Sequence, residues 1–165
     1  MDTKNKREGQ IKTVLLGTKI STIVMMFFCA VSIVFGYYIC LYSWGIDVVG
    51  GQRATNLIPD LPAFVLFVID FYICICFAIV ILVGVWLLLR NLEAGEVFVR
   101  KNTKLLNLIT LGCVGIAIFC FIGGLVSLST VLIGAVGLFM ALIVQCVKVL
   151  MDKAIDLREE LDLTI

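Results

Sequence analysis

Asp70 is the residue of this chain that could do chemistry inside an apolar environment. It lies six residues after Phe64, the start of an apolar run, or about 9 Å along a helix axis. An ionised carboxylate there needs a partner, water or a proton. The functional interpretation is a proton or ligand site, and the structural one is a hydrogen bond to Tyr37, Tyr38 or Ser127. We favour the structural interpretation, because the apolar runs contain no second acid, histidine or base for a relay.

The seven cysteines do not form a pattern that binds metal or catalyses a reaction. Six of them lie well inside apolar runs, where thiols act as small packing groups. The chain has no histidine and no C-x-x-C pair, whereas metal sites and Cys/His nucleophiles need such clusters. We therefore expect no metal, no cofactor and no enzymatic activity.

Composition predicts the class of protein. Of the 165 residues 62% are apolar and 15% are charged, whereas soluble domains are about one quarter charged. Four runs are long enough for a helix that crosses a bilayer, which takes roughly 20 residues. The sequence predicts an all-α membrane protein with one domain over residues 1–165. Its predicted spans are residues 20–42, 64–89, 105–125 and 131–149.

The distribution of positive charge predicts the topology. Twelve of the thirteen Lys and Arg residues lie before the first span, between the second and third, or after the fourth, and Arg53 is the exception. Lysine and arginine concentrate on the cytoplasmic side of membrane proteins. We expect two helical hairpins with both termini in the cytoplasm. Residues 43–63 form an extracytoplasmic loop, residues 90–104 a cytoplasmic loop and residues 150–165 a cytoplasmic tail.

Small residues recur at helical spacing on the last two spans. Such stripes let helix backbones approach closely, within one chain or between copies in a homo-oligomer. We expect the third and fourth helices to pack through them, with Asn107 and the intramembrane Gln145 adding interhelical hydrogen bonds. The stripes are Thr110, Cys113, Ala117, Cys120 and Gly124 on the third span, and Gly134, Gly137, Ala141 and Gln145 on the fourth.

The cytoplasmic loop contains signals for the ends of two helices. Gly95 stands where a helix C-cap is expected. Asn102 is a residue type that caps helix N-termini, which predicts a third helix that begins at Thr103 or Lys104.

The tail is predicted to continue the fourth helix. Leu150, Ala154, Leu157 and Leu161 share one face, while acidic residues prevail on the other. Two interpretations stay open: the tail is presented to a cytosolic partner, or it folds back on the positively charged loop at 90–104.

Two segments together resemble a known family. The spacing L-x-x-x-G-E-x-F-x-x-x-N-x-x-x-L and the C-terminal residues are similar to the bacterial membrane family called domain of unknown function 2975, over nearly the whole chain. Val97 and Leu161 depart from it, since the family often has Pro and Asn there. The matching residues are Leu92, Gly95, Glu96, Phe98, Asn102 and Leu106 in the loop, and Glu160, Asp162, Leu163, Thr164 and Ile165 in the tail.

The resemblance implies a multi-pass protein of the bacterial cytoplasmic membrane, often encoded beside a small Cro/CI-type helix-turn-helix DNA-binding protein. Our hypothesis is a membrane regulatory or signal-transducing protein that binds and controls such a regulator. It would contact membrane lipid and no nucleic acid directly. The expected partner-binding residues are Leu157, Glu159, Glu160, Leu161, Asp162, Leu163, Thr164 and Ile165.

Two alternatives belong to other classes. An immunity protein against membrane-active peptides would depend on the outer loop and the spans, with the tail dispensable. A small transporter or channel would place Asp70 along its path, although permeation paths normally display several polar groups.

Overall fold

Four long α-helices make up the described part of the chain. The computed structural model describes residues 2–43, 61–124 and 128–162, and no strand occurs within them. All four helices are long and apolar enough to cross a membrane, which confirms the predicted all-α class. The helices are α1 (Asp2–Ser43), α2 (Leu61–Glu93), α3 (Arg100–Gly123) and α4 (Leu128–Asp162).

Three of the helices are longer than a single crossing needs. At 1.5 Å per residue, the 35 residues of α4 extend for about 52 Å, whereas the hydrocarbon core is about 30 Å thick. α4 continues to Asp162, so the prediction that residues after 149 extend the fourth helix is confirmed as far as that residue. α1 begins at Asp2, well before the apolar run at Ile20.

The helices pack in chain order. α1 packs on α2, α2 on α3 and α3 on α4, and no other pair of helices is in contact over the described residues. α1 and α2 run antiparallel, because Lys19 pairs with Glu93 near one end and the Tyr37 ring lies 6.3 Å from the Phe64 ring near the other. α1 and α4 therefore form the two edges of an open array.

Gly36 lets α1 approach α2 closely. A Cβ atom added at Gly36 of α1 would lie 2.8 Å from the ring of Phe71 on α2. The Tyr72 hydroxyl beside it donates a hydrogen bond to the Ile33 carbonyl at 3.3 Å. One close contact thus fixes α1 against α2 in the part of the interface far from Lys19.

The α2–α3 interface uses the face of α2 that carries Asp70. A Cβ at Gly115 of α3 would lie 2.6 Å from Cε1 of Phe77, and one at Gly112 would lie 2.6 Å from Cγ1 of Ile81. On α2, Gly84 takes up the side chain of Ile109 in the same way. This face of α2 therefore meets α3.

The small residues of α3 and α4 face each other, as predicted. Gly134 lies against Cys120 and Ala117, Gly137 lies against Cys113 and Ala117, and Ala141 is buried. Close packing of these helices is therefore confirmed.

The two amides expected to bridge α3 and α4 behave differently. Asn107 Oδ1 accepts a hydrogen bond from Lys148 Nζ at 2.8 Å, so that prediction is confirmed. The prediction for Gln145 is wrong, because its side chain is exposed and makes no hydrogen bond with the described part of the chain. Gln145 lies one turn beyond the buried Ala141 along α4, at a level where the side chain is no longer covered.

Candidate functional site

The end of α2 is closed by a glycine in the left-handed conformation. Gly95 has φ +80°, its N–H donates to the Leu92 carbonyl, and the Glu96 N–H donates to the Asn91 carbonyl. This pair of bonds is a Schellman motif, which satisfies the last carbonyls of a helix. The predicted C-cap role of Gly95 is therefore confirmed.

Asn102 fixes the connection between α2 and α3. It is 0% exposed, and its Nδ2 donates to the carbonyls of Glu96 at 2.6 Å and Val97 at 3.0 Å. Its Oδ1 accepts a hydrogen bond from Asn91 Nδ2 at 2.7 Å. One buried amide thus joins the end of α2, the loop and the start of α3.

The predicted N-cap role of Asn102 is wrong. α3 begins at Arg100, and extended Val99 occupies the N-cap position (φ −127°, ψ 137°) with no side-chain cap hydrogen bond. The Asn102 side chain binds loop carbonyls and Asn91 instead of a helical N–H. The physical reason is that the buried Asn102 amide needs acceptors, which the carbonyls of Glu96 and Val97 in the tight loop supply.

The family motif in the loop separates into two sets. Gly95, Glu96 and Asn102 take part in the hydrogen-bond network together with the Leu92 carbonyl. Leu106 is buried in α3, whereas Phe98 is 49% exposed. The structure therefore brings four of the six motif residues together and leaves an aromatic side chain on the surface of the loop.

Arg100 ties the tail to the start of α3. Its guanidinium donates to the Glu159 carboxylate at 2.8 and 3.2 Å and to Asp156 at 3.3 Å. Both acids lie beyond the predicted fourth span. The hydrogen bond from Arg100 lowers the pKa of Glu159 below its usual value. The tail thus contacts the positively charged loop region, as one of the two interpretations predicted.

The apolar stripe of the tail lies on the surface of the array. Leu157 is 61% exposed and Leu161 is 67% exposed, while Ile155 is buried on the opposite side. Glu159 and Glu160 are exposed as well. Of the other expected partner-binding residues, Asp162 ends α4, and Leu163, Thr164 and Ile165 lie outside the described residues.

A cleft of about 380 Å³ opens between the first turns of α3 and the part of α4 around Lys148 and Asp152. Its lining has three basic side chains and one acidic side chain, that of Asp152. Thr103 also lines it, is buried, and its hydroxyl has no hydrogen-bond partner within the described residues. The lining residues are Arg100, Thr103, Lys104, Asn107, Lys148 and Asp152.

Asp70 lies where α2 meets the end of α3. A Cβ added at Gly123 would lie 2.6 Å from Asp70 Oδ2, so this glycine makes room for the carboxylate. Asp70 Oδ1 is buried without a hydrogen-bond partner in the described part of the chain. The described residues show no bond from Tyr37 or Tyr38 to Asp70, and Ser127, the third expected partner, lies outside them, so the structural interpretation of Asp70 stays a prediction.

Sequence reasoning missed the contacts that join distant parts of the chain. Arg100 was part of the basic loop, but nothing local indicated a bond to residues more than 50 positions away. Asn107 was expected to bond to another helix, but its partner Lys148 was not identified. Thr103 gave no sequence signal at all, because a threonine early in a helix is ordinary.

The fold and this end of the array define a class: an all-α chain whose four apolar helices are compatible with a multi-pass membrane protein. The model of the family "Protein of unknown function (DUF2975)" matches residues 49–165. The chain belongs to this family, as its motifs predicted. The match covers α2, α3 and α4 and leaves α1 outside, so it is shorter than the nearly full-length resemblance expected from the sequence. Comparisons with curated proteins and with solved structures find no significant match.

Proposed function

We propose that this chain is a membrane regulatory protein whose C-terminal segment, residues 150–165, binds and controls a small cytosolic helix-turn-helix DNA-binding protein. In this proposal the helices form two hairpins in the bacterial cytoplasmic membrane. Both termini and the 90–104 loop face the cytoplasm, so that the partner-binding segment is available to a cytosolic protein.

Charge supports this orientation. Lys19, Arg100 and Lys148 lie at one end of the helix array, where α1 meets the end of α2 and the start of α3 meets the end of α4. The sequence places twelve of its thirteen basic residues in the segments that belong to this end. Basic residues next to spans favour the cytoplasmic side.

The observation that carries the proposal is the helical extension of α4. It continues to Asp162, which is 13 residues past the predicted span, and it displays Leu157 and Leu161 on its surface. An amphipathic helix with an apolar stripe is a common way to bind a groove on another protein. The bonds from Arg100 hold one side of the extension and leave the leucine stripe exposed.

The chemistry of the extension fits a basic partner. From Lys148 to the end, the segment has three basic and five acidic residues, and complementary charge speeds association and selects partners. DNA-binding proteins carry positive surfaces that contact phosphates. The tail and DNA would then compete for the same positive surface of the regulator. That the regulator is of the helix-turn-helix class is implied by the family resemblance.

The test is recovery of cytosolic proteins from gently solubilised membranes with full-length protein and with a version that ends at Arg158. We expect to recover a small DNA-binding protein with the full-length chain only. Addition of its operator DNA should release that protein from the tail. A Leu157→Ser/Leu161→Ser variant should lose it, whereas a Lys153→Gln variant, which removes a charge and keeps both leucines, should retain it. Equal recovery with both chain lengths would rule out binding through the tail.

A further inference from the structure

We propose that the cleft between α3 and α4 binds the phosphate of an anionic phospholipid headgroup. The cleft holds about 380 Å³ and combines three basic side chains with a buried hydroxyl. This inference is independent of the DNA-binding partner proposed for the tail.

The start of α3 lacks the groups that normally neutralise a helix N-terminus. No side chain caps it within the described residues, and its first turn has no acidic residue. Three of its first five positions are basic instead, at Arg100, Lys101 and Lys104. A helix N-terminus carries partial positive charge and free N–H groups, so it favours anions. Cations gathered there add to that positive charge, and the tail acids Asp156 and Glu159 pair with Arg100.

Thr103 supplies an independent observation. It lines the cleft and is 6% exposed, yet its hydroxyl has no hydrogen-bond partner in the described part of the chain. Buried polar groups are almost always paired, and an unmade bond costs free energy. A phosphate oxygen in the cleft would accept the hydrogen bond from this hydroxyl.

The other polar groups leave donors for a ligand. Lys148 uses one of its three N–H donors for the bond to Asn107, which leaves two. Lys104 lines the same cleft. Arg100 is held by the tail acids Asp156 and Glu159. Lys104, Lys148 and Thr103 therefore form the phosphate site, and Asp152 can accept a hydrogen bond from a headgroup hydroxyl.

The position of the cleft favours a lipid over free phosphate. The apolar run of α3 begins at Leu105, and that of α4 ends before Lys148, so the cleft lies at headgroup depth in a bilayer. Exposed Phe98 and Val97 precede α3 on the adjoining loop, and aromatic side chains concentrate at this interface. Basic residues at the cytoplasmic surface attract anionic lipids.

The test measures phosphatidylglycerol binding to the full-length protein in neutral detergent, by native mass spectrometry. Lys104→Ala/Lys148→Ala should weaken binding about tenfold, because two cations near the headgroup are lost. Lys101→Ala/Lys153→Ala is the matched control, since it removes the same charge from the same two helices outside the cleft lining. It should change binding less than about twofold. Equal losses in the two variants would overturn the site.

Two further measurements separate a ligand role from a structural one. Thr103→Val keeps the shape of the side chain, so it should weaken phosphatidylglycerol binding while thermal stability in lipid-free detergent stays the same or rises. Unchanged lipid binding would remove Thr103 from the site. Inorganic phosphate and glycerol phosphate should compete poorly, and competition as strong as that of the lipid would overturn the assignment to a headgroup.

Discussion

Asn102 is the residue on which the α2–α3 connection depends most. Its amide donates to two loop carbonyls and accepts a bond from Asn91, and all three bonds are 3.0 Å or shorter. The Asn102 side chain is fully buried, and its bonds to Asn91, Glu96 and Val97 are partly buried. Removal of this side chain would therefore break three partly shielded bonds at once, which costs more than the loss of one exposed hydrogen bond.

We expect Asn102→Ala to lower the free energy of unfolding by about 2–3 kcal/mol, because three hydrogen bonds of a buried side chain are lost together. Unfolding in mixed detergent micelles would measure it. Asn107→Ala is the matched control: this exposed asparagine makes one bond, to Lys148, and its loss should cost less than about 1 kcal/mol. Equal costs would contradict the central role of Asn102.

Individual residues were predictable where a local rule decides their conformation. Gly95 follows from the need for positive φ after a helix. Asn102 was singled out correctly but given the wrong role, since N-cap preference is local and its actual partners include Asn91, 11 positions earlier. Arg100 and its tail acids could not be paired from sequence, because their contact depends on how α3 lies against α4.

α3 packs on both of its neighbours through small residues. Gly112 and Gly115 meet α2, while Ala117 and Cys120 meet α4, and several of its residues are buried although the array is open. Small residues on both faces let two neighbours approach one helix. The helix therefore tolerates added volume poorly over most of its circumference.

Gly115→Ala should destabilise the protein by about 1–3 kcal/mol, because the new methyl group meets the Phe77 ring at 2.6 Å. Gly17→Ala is the control, with nothing within 4 Å. It should stabilise α1 slightly, since alanine favours a helix by up to about 1 kcal/mol over glycine. The same unfolding assay measures both. Two stabilising substitutions would show that Phe77 yields easily and that the interface is loose.

Hydropathy predicted each helix through its apolar part and missed its polar extensions. The apolar runs 20–42, 64–89 and 131–149 lie inside α1, α2 and α4, while the run 105–125 extends past Gly123, where α3 ends. Roughly 20 consecutive apolar residues have few alternatives to a spanning helix. The start of α1 at Asp2 was not predicted, since polar residues permit helix or loop equally. The extension of α4 was predicted because its leucines keep helical spacing past the last span.

At the scale of the whole molecule, the proposed orientation predicts which connections face the cytoplasm. Alkaline phosphatase fused after Gln52 should be active, whereas fusions after Glu96 and after Ile165 should be inactive. Basic residues adjoin the last two positions, while Arg53 is the one basic residue near the first. Green fluorescent protein at the same three junctions is the control and should give the reverse pattern. An active phosphatase after Ile165 would place the tail outside and end the regulatory proposal.

The packing of each helix on its chain neighbour also bears on how the protein assembles. Within the described residues, α1 meets α2 alone and α4 meets α3 alone. Each of these interfaces therefore forms between two helices that follow one another in the chain. Contacts between segments close in sequence form fast, because little entropy is lost in closing the loops between them. Each helix after α1 can pack on the preceding helix soon after it is synthesised, and α4 is the last of the described helices to do so.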